Sequence, residues 1–271
     1  MSLNICNFKY YKQLKNNNTM SYVKYDEDEI RKLHSEGLTD REIASELNVK
    51  VNNLATKRRR MGLKPNKNIR DTYVLSKREK EILIGTLLGD STIRYVHDQC
   101  KYPNLTFSHG VKQKEWFYWK EKELVNLKSS SNLYKGSKDI NGDDLYRYVF
   151  TGKNMKCLID IRDIFYKDNI KIMPRDYINK NFTDLSLYCY YLDDGSYDIS
   201  NNSFILNTYA FDKESLKEFT DFLYQKFDLN FSIKSDNTLY LRHESNDNMT
   251  NIIKKHNECD SMIYKYGGRL S

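Results

Sequence analysis

Apolar positions fall into short helical stripes early in the chain, then into longer helices alternating with strand-like runs after residue 75. Over 26–36, Ile30 and Leu33 lie three apart on one face, and Gly37 ends the helix they imply. Thr39 with Glu42 has the spacing of a capping box, and Ile43, Ala44 and Leu47 supply the apolar stripe of a second helix. Asn48-Val49 makes a turn, and a third helix is expected over 51–61, with Val51, Leu54 and Met61 pointing inward. These three helices predict a small domain over 22–65. A loose polar tail is expected before it over 1–21, and an apolar-poor linker after it over 66–75.

Beyond Ser76 the order of elements repeats. One helix ends at Gly89-Asp90 and another at Asp193-Asp194-Gly195. A strand-like run follows each, at 105–109 and 203–208, and then an aromatic-rich helix, over 114–128 and 213–227. Second strand signals come around 144–150 and 238–243, and closing helices around 154–166 and 247–255. Two copies of one αββαββα unit, over 76–180 and 181–271, predict an α+β fold with pseudo-two-fold symmetry, as in a fused dimer.

Hydrophobic residues make up 39% of the 271 positions and charged residues 30%, enough for sizeable cores and against global disorder. Lysine and arginine exceed aspartate and glutamate by 44 to 37, a balance that suits a polyanionic partner. Cys6, Cys100, Cys157, Cys189 and Cys259 are scattered without a CxxC pair, which argues against a zinc ribbon and for reduced thiols in an intracellular protein. No apolar run approaches membrane-spanning length, and the first 25 residues fit neither a secretory signal nor a transit peptide.

The two aspartates carry the candidate chemistry. Ser76 with Glu79 caps the first of the two helices, and Gly85 and Gly89, four apart on one face, let a partner helix approach closely. Cys189 and Asp193 occupy the matching positions in the second copy. Asp90 and Asp194 would each end a helix where the dipole is negative, and crossing helices would bring the two carboxylates together. A divalent cation cancels that repulsion. Hard oxygen donors, with no histidine or cysteine beside either aspartate, point to Mg2+ (or Mn2+) rather than Zn2+.

The run LTDREIASELNVKVNNLATKRRRMGL resembles homeodomain-like helix-turn-helix units. The resemblance implies that its last helix enters a major groove, presenting Asn52, Asn53, Thr56, Lys57, Arg59 and Arg60, with Lys57 to Arg60 on phosphates. LIGTLLGDS and LYCYYLDDG resemble the LAGLIDADG motif, and IMPRDYI, FILNTYAF and SMIYKYGG extend the likeness. From Ser76 onward the chain is similar to monomeric, two-motif, intron-encoded LAGLIDADG homing endonucleases. Ser91 departs from the final glycine of the first motif and Cys189 from the third-position glycine of the second, and the helix-turn-helix lies outside the family pattern.

That resemblance implies a saddle over double-stranded DNA with a long recognition site. Asp90 and Asp194 would hold the catalytic divalent metals, and Lys171 and Lys265 would neutralise charge on the reacting phosphates. Groove-facing strand positions around 106–109, 146–148, 207–209 and 236–242 would set specificity, with Thr106, Ser108, Arg147, Asn207 and Arg242 as candidates. The implied activity is site-specific double-strand cleavage by a monomer. Its setting would be the cytoplasm of a bacterial or phage-infected cell, or an organelle matrix, without a membrane partner. The rival reading is an inactive relic serving as a group I intron maturase on RNA, or as a DNA-binding regulator; retention of both aspartates and both lysines favours the enzyme.

Overall fold

The computed structural model describes residues 26–66, 69–138 and 140–267. The expected tail over 1–21 lies outside these residues. The chain divides into two compact units, the first ending at Lys67 and the second starting at Asn68.

The first unit holds α1 (Glu27–Ser35), α2 (Asp40–Glu46) and α3 (Val51–Arg60). Asp26 caps α1, and Thr39 with Glu42 forms the expected capping box on α2. Ile30, Ile43, Ala44 and Leu54 form the core, ringed by Leu33, Leu38, Leu47, Val49 and Met61. Val51, expected inward, is 39% exposed, because it opens α3 before the helix reaches that core. The basic run also needs correcting: Arg58 is buried, its Nε donates to Asp40 Oδ1 at 2.6 Å, and its guanidinium also bonds the Leu63 carbonyl. It ties α3 to α2, so its guanidinium is engaged inside the unit rather than free at the surface. Asn66 Nδ2 donates to the carbonyls of His34 (2.7 Å) and Leu38 (2.9 Å), so the unit continues through Asn66.

The second unit begins inside the expected linker, where α4 (Ile69–Thr72) forms. Asp71 pairs with Lys101, Tyr73 donates to Glu79 Oε1 at 2.7 Å, and Leu75 joins the core, so 69–75 packs as part of this unit. The first copy follows as α5 (Lys77–Leu88), β1 (Thr92–Arg94), β2 (Asn104–Gly110), α6 (Lys114–Glu123), β3 (Lys128–Lys138), β4 (Asp144–Gly152) and α7 (Ile159–Phe165). A hairpin of β5 (Tyr166–Lys167) and β6 (Ile170–Lys171), then α8 (Arg175–Asn181), lead to the second copy. That copy runs α9 (Asp184–Asp194), β7 (Gly195–Asp198), β8 (Ser203–Leu206), α10 (Lys213–Phe227), β9 (Phe231–Ile233), β10 (Leu239–Leu241) and α11 (Asn246–His256).

Both copies form four-stranded antiparallel sheets of matching order, β1-β2-β4-β3 and β7-β8-β10-β9, so the duplication read from the sequence holds in topology. The sheets differ in length: β3 has 11 residues and β9 has three. α6 stops at Glu123, short of the expected 128, because the serine-rich stretch after Leu127 joins β3. The β5–β6 turn uses Asp168 and Asn169, both at positive φ (50° and 63°), as a two-residue hairpin turn requires.

Along β2, Leu105, Phe107 and His109 point into the core while Thr106 and Ser108 face away. Phe107 stacks on Phe150 with ring centroids 4.5 Å apart and meets Phe117 of α6 edge-on. Helices therefore cover one face of this sheet. Among the described residues no helix is long and apolar enough to cross a membrane, and Cys100, Cys157, Cys189 and Cys259 are free thiols.

The two copies meet where α5 packs on α9. A Cβ built on Gly85 would lie 2.1 Å from the Ser186 carbonyl oxygen and 2.8 Å from Cys189 Cβ, and one on Gly89 would lie 2.5 Å from Asp193 Cβ. Cys189 and Asp193 thus sit against the glycines as the spacing predicts.

Candidate active site

The close crossing carries Asp90 and Asp194 to adjacent helix ends. Burial, then Asp193, then Asp194 push the Asp90 carboxyl up to about 7, even though 38% of its side chain is exposed. Burial, followed by Asp193, pushes Asp194 up to about 6. Both carboxyls are partly desolvated beside the Asp193 charge, which the nearby lysines offset only in part, a condition that a bound cation relieves.

Lys171 and Lys265 close the two helix ends in parallel fashion. Lys171, carried by β6, donates to the carbonyls of Gly89 and Ser91, each at 2.9 Å. Lys265, carried by the 3-10 turn Asp260–Tyr266, donates to those of Leu192 (2.7 Å) and Asp193 (2.9 Å). Lys265 thereby satisfies open carbonyls in the last turn of α9, Lys171 satisfies those of the turn just past α5, and both oppose a negative helix end. Burial lowers both lysine pKa values, and the neighbouring aspartates act against that fall.

Asp193 does more than supply a small contact for Gly89. Its buried carboxylate accepts from Lys120 Nζ (2.8 and 3.1 Å), Trp116 Nε1 (2.7 Å), Thr86 Oγ1 (2.5 Å) and the Asp90 N–H (3.3 Å). Burial alone would raise this carboxyl; Lys120, His109 and the Lys120 and Thr86 hydrogen bonds together bring it below the ordinary aspartate value. Ser91, the departure from the motif's final glycine, joins the network through a 2.6 Å contact between its hydroxyl and that of Thr86.

A histidine does stand beside the aspartates, contrary to the expectation from sequence adjacency. His109 Nδ1 lies 3.6 Å from Asp90 Oδ2, and its Nε2 lies 3.6 Å from Asp193 Oδ1. Burial first, then Lys120, push its pKa down to about 3, so the ring is neutral. The polar run 106–109 points His109 to the groove; in the fold it is 2% exposed and points at α6, as strict alternation with Leu105 and Phe107 requires. One oxygen or nitrogen from each of Asp90, His109 and Asp193 lies within 4.8 Å of the others. Asp193 already accepts from four donor groups, which leaves Asp90, Asp194 and the neutral His109 as the groups able to ligate.

The expected DNA-contacting residues separate into two sets. Gly110 pairs with Arg147, Ser108 with Val149 and Thr106 with Thr151, so Thr106, Ser108 and Arg147 share the helix-free face of the first sheet. Arg242 is exposed, just past β10. Asn207 turns back instead: its Nδ2 (2.8 Å) and backbone N–H (3.0 Å) both donate to the Asp194 carbonyl, so it closes α9 rather than reaching outward. On α3, Asn52, Asn53, Thr56, Arg59 and Arg60 are exposed, while Lys57 pairs with Glu27.

A duplicated αββαββα fold joined through motif helices that end in aspartates defines the LAGLIDADG class. The chain belongs to the LAGLIDADG DNA endonuclease family, whose profile matches residues 80–252. It is 28% identical over 193 residues to a protein described as probable intron-encoded endonuclease 1 of Wickerhamomyces canadensis, covering 64% of this chain and 78% of that one. A protein named RecA from Mycobacterium gastri is 30% identical over 128 residues, covering 46% of this chain and 28% of that protein's length. Among solved structures, the homing endonuclease I-WcaI bound to its DNA recognition sequence superposes with a TM-score of 0.66 and 25% identity, over 78% of this chain and 97% of that one.

Proposed function

We propose that this chain is a homing endonuclease that cuts both strands of a specific DNA site, using Mg2+ (or Mn2+) held by Asp90 and Asp194. The observation that carries this reading is the pair of carboxyls at crossing helix ends, pushed up to about 7 and about 6, whose ionisation a divalent cation stabilises. Such an ion would lower the pKa of its bound water and polarise phosphoryl oxygens. The protein's own part is to fix the charges around each scissile phosphate. Lys171 and Lys265 each use two of three ammonium protons on helix-end carbonyls, leaving the third for a phosphate oxygen as negative charge builds. Thr106, Ser108, Arg147 and Arg242 face the groove, and α3 adds a second DNA contact through Asn52, Asn53, Thr56, Arg59 and Arg60. Lys57 joins that contact on leaving Glu27. A relic acting as maturase or regulator would have no need of both aspartates and both lysines, and all four are in place.

Cleavage tests the reading directly. Duplexes enriched from a random pool by repeated binding to the full chain in Ca2+ are expected to be cut on both strands in Mg2+ or Mn2+. EDTA should abolish the cutting. Sequenced ends lacking a shared site, or cutting that persists in EDTA, would count against it.

The α3 contact has its own measurement. Replacing Arg59 and Arg60 together by alanine is expected to weaken binding to those duplexes and lower the slope of log Kd against log salt by about 2. Arg58→Ala should instead destabilise the three-helix unit, because it leaves Asp40 and the Leu63 carbonyl without their partner. An unchanged salt slope in the Arg59/Arg60 variant would remove α3 from the DNA contact.

A further inference from the structure

The two copies match in backbone but differ in what stands behind their aspartates. Thr92 pairs with Thr106 in the first sheet, and Ser196, at the same distance past its aspartate, pairs with Ile205 in the second. His109 therefore corresponds to Thr208. The outer helices begin at equal distances beyond these residues, at Lys114 and Lys213. By the same count Trp116 corresponds to Ser215 and Lys120 to Phe219, while counting from the motif aspartates matches Asp193 to Gly89. Among the described residues the charged cluster occurs once. At the Lys120 position the counterpart is apolar: Phe219 is 3% exposed and lies 5.6 Å from the Phe182 ring, centroid to centroid.

A buried ammonium–carboxylate pair gives no packing advantage over apolar side chains, and the Phe219 half shows that the fold accepts them. The contacts of Asp193 suggest what the pair does instead. Its carboxylate accepts the Asp90 N–H and the Thr86 hydroxyl, and Thr86 in turn bonds Ser91. The turn that aims Asp90 is thus gripped at Asp90 itself and at the next residue. Lys120 holds both Asp193 oxygens and also donates to Thr86 Oγ1 at 3.0 Å.

We propose that Lys120 and Asp193 are positioning residues for Asp90, and that the pair makes the Asp90 half of the centre distinct from the Asp194 half, so that the two DNA strands are cut by non-equivalent machinery. This rests on the nuclease reading above. Its test follows each strand separately in single-turnover cleavage of the enriched duplex, labelled differently on the two strands, by wild type, Lys120→Met and the charge-neutral Lys120→Met/Asp193→Asn.

Lys120→Met is expected to slow one strand by about ten- to a hundredfold, the scale of a small misplacement at a reacting centre. The other strand should change by less than about threefold, so nicked product accumulates. The double variant should lose no more than the single one, because Lys120 acts through Asp193. Binding in Ca2+ should stay near wild type for both. If Lys120→Met fails to fold, the double variant, which buries no unpaired charge, carries the same strand comparison. Equal slowing of both strands, or no slowing in either variant, overturns the positioning role while the nuclease reading stands. A wild type that cuts neither strand overturns the nuclease reading and the positioning role with it.

Discussion

Replacing Asp194 by asparagine is expected to abolish double-strand cleavage while leaving DNA binding largely intact. The substitution keeps size and shape but removes the anionic oxygen that a cation needs, and groups stabilising charge at a reacting centre are each worth about a hundredfold or more in rate. The sheet faces and α3 are untouched, and one negative charge fewer beside the phosphates does not weaken association. The same variant should also be more stable than wild type at neutral pH without metal. Asp194 titrates at about 6 in the folded chain, above the ordinary aspartate value of ~3.9. Between those values the unfolded chain binds fewer protons than the folded one, so stability falls as pH rises through this window and stays lower above it. Asparagine carries no such cost. Its melting temperature should therefore exceed wild type at pH 7.5 and converge with it below about pH 4. Near-normal cutting of both strands by Asp194→Asn would exclude the assignment. A lower melting temperature at both pH values would show that the side chain serves folding instead.

Gly85→Ala is the second large effect. A single methyl there lands 2.1 Å from the Ser186 carbonyl oxygen, part of the α9 backbone that cannot rotate aside. Overpacking of this kind costs about 1–3 kcal/mol or more, and relief requires α5 and α9 to separate. A melting temperature lower by about 5–10 °C is expected, together with loss of cleavage as Asp90 and Asp194 move apart. Gly110→Ala, where nothing lies within 4 Å of the added Cβ, is the stability control. Equal melting temperatures for the two variants would mean that the crossing is looser than it stands here.

Much of this architecture was legible in the residues themselves. Thr39 with Glu42, Ser76 with Glu79, and the glycine pair at 85 and 89 act through local geometry, so their spacing fixes helix starts and the close crossing. The repeated order of elements shows the duplication, although it marks only β2 and β4 of the first sheet and β8 and β10 of the second. The machinery behind Asp90 was harder to see, because it depends on which elements meet in space. Lys120 sits in KEWFYWKEKE, which looks like a solvated charged face; only its place four residues after Trp116 and three after Phe117, on the buried stripe, marks it. His109 is legible from strand alternation, whose period turns it away from the groove with Leu105 and Phe107. Residue type alone points Asn207 and Arg58 at DNA, yet each has a nearer carbonyl or carboxylate to satisfy.

The unequal sheets bear on the shape of the target. An 11-residue β3 extends about 36 Å, close to one turn of B-DNA, whereas the three-residue β9 extends only about 10 Å. A duplex lying along both would meet a long reading surface on one side of the cut and a short one on the other. Its two half-sites need not mirror each other, and base changes on the long side should be felt farther from the break.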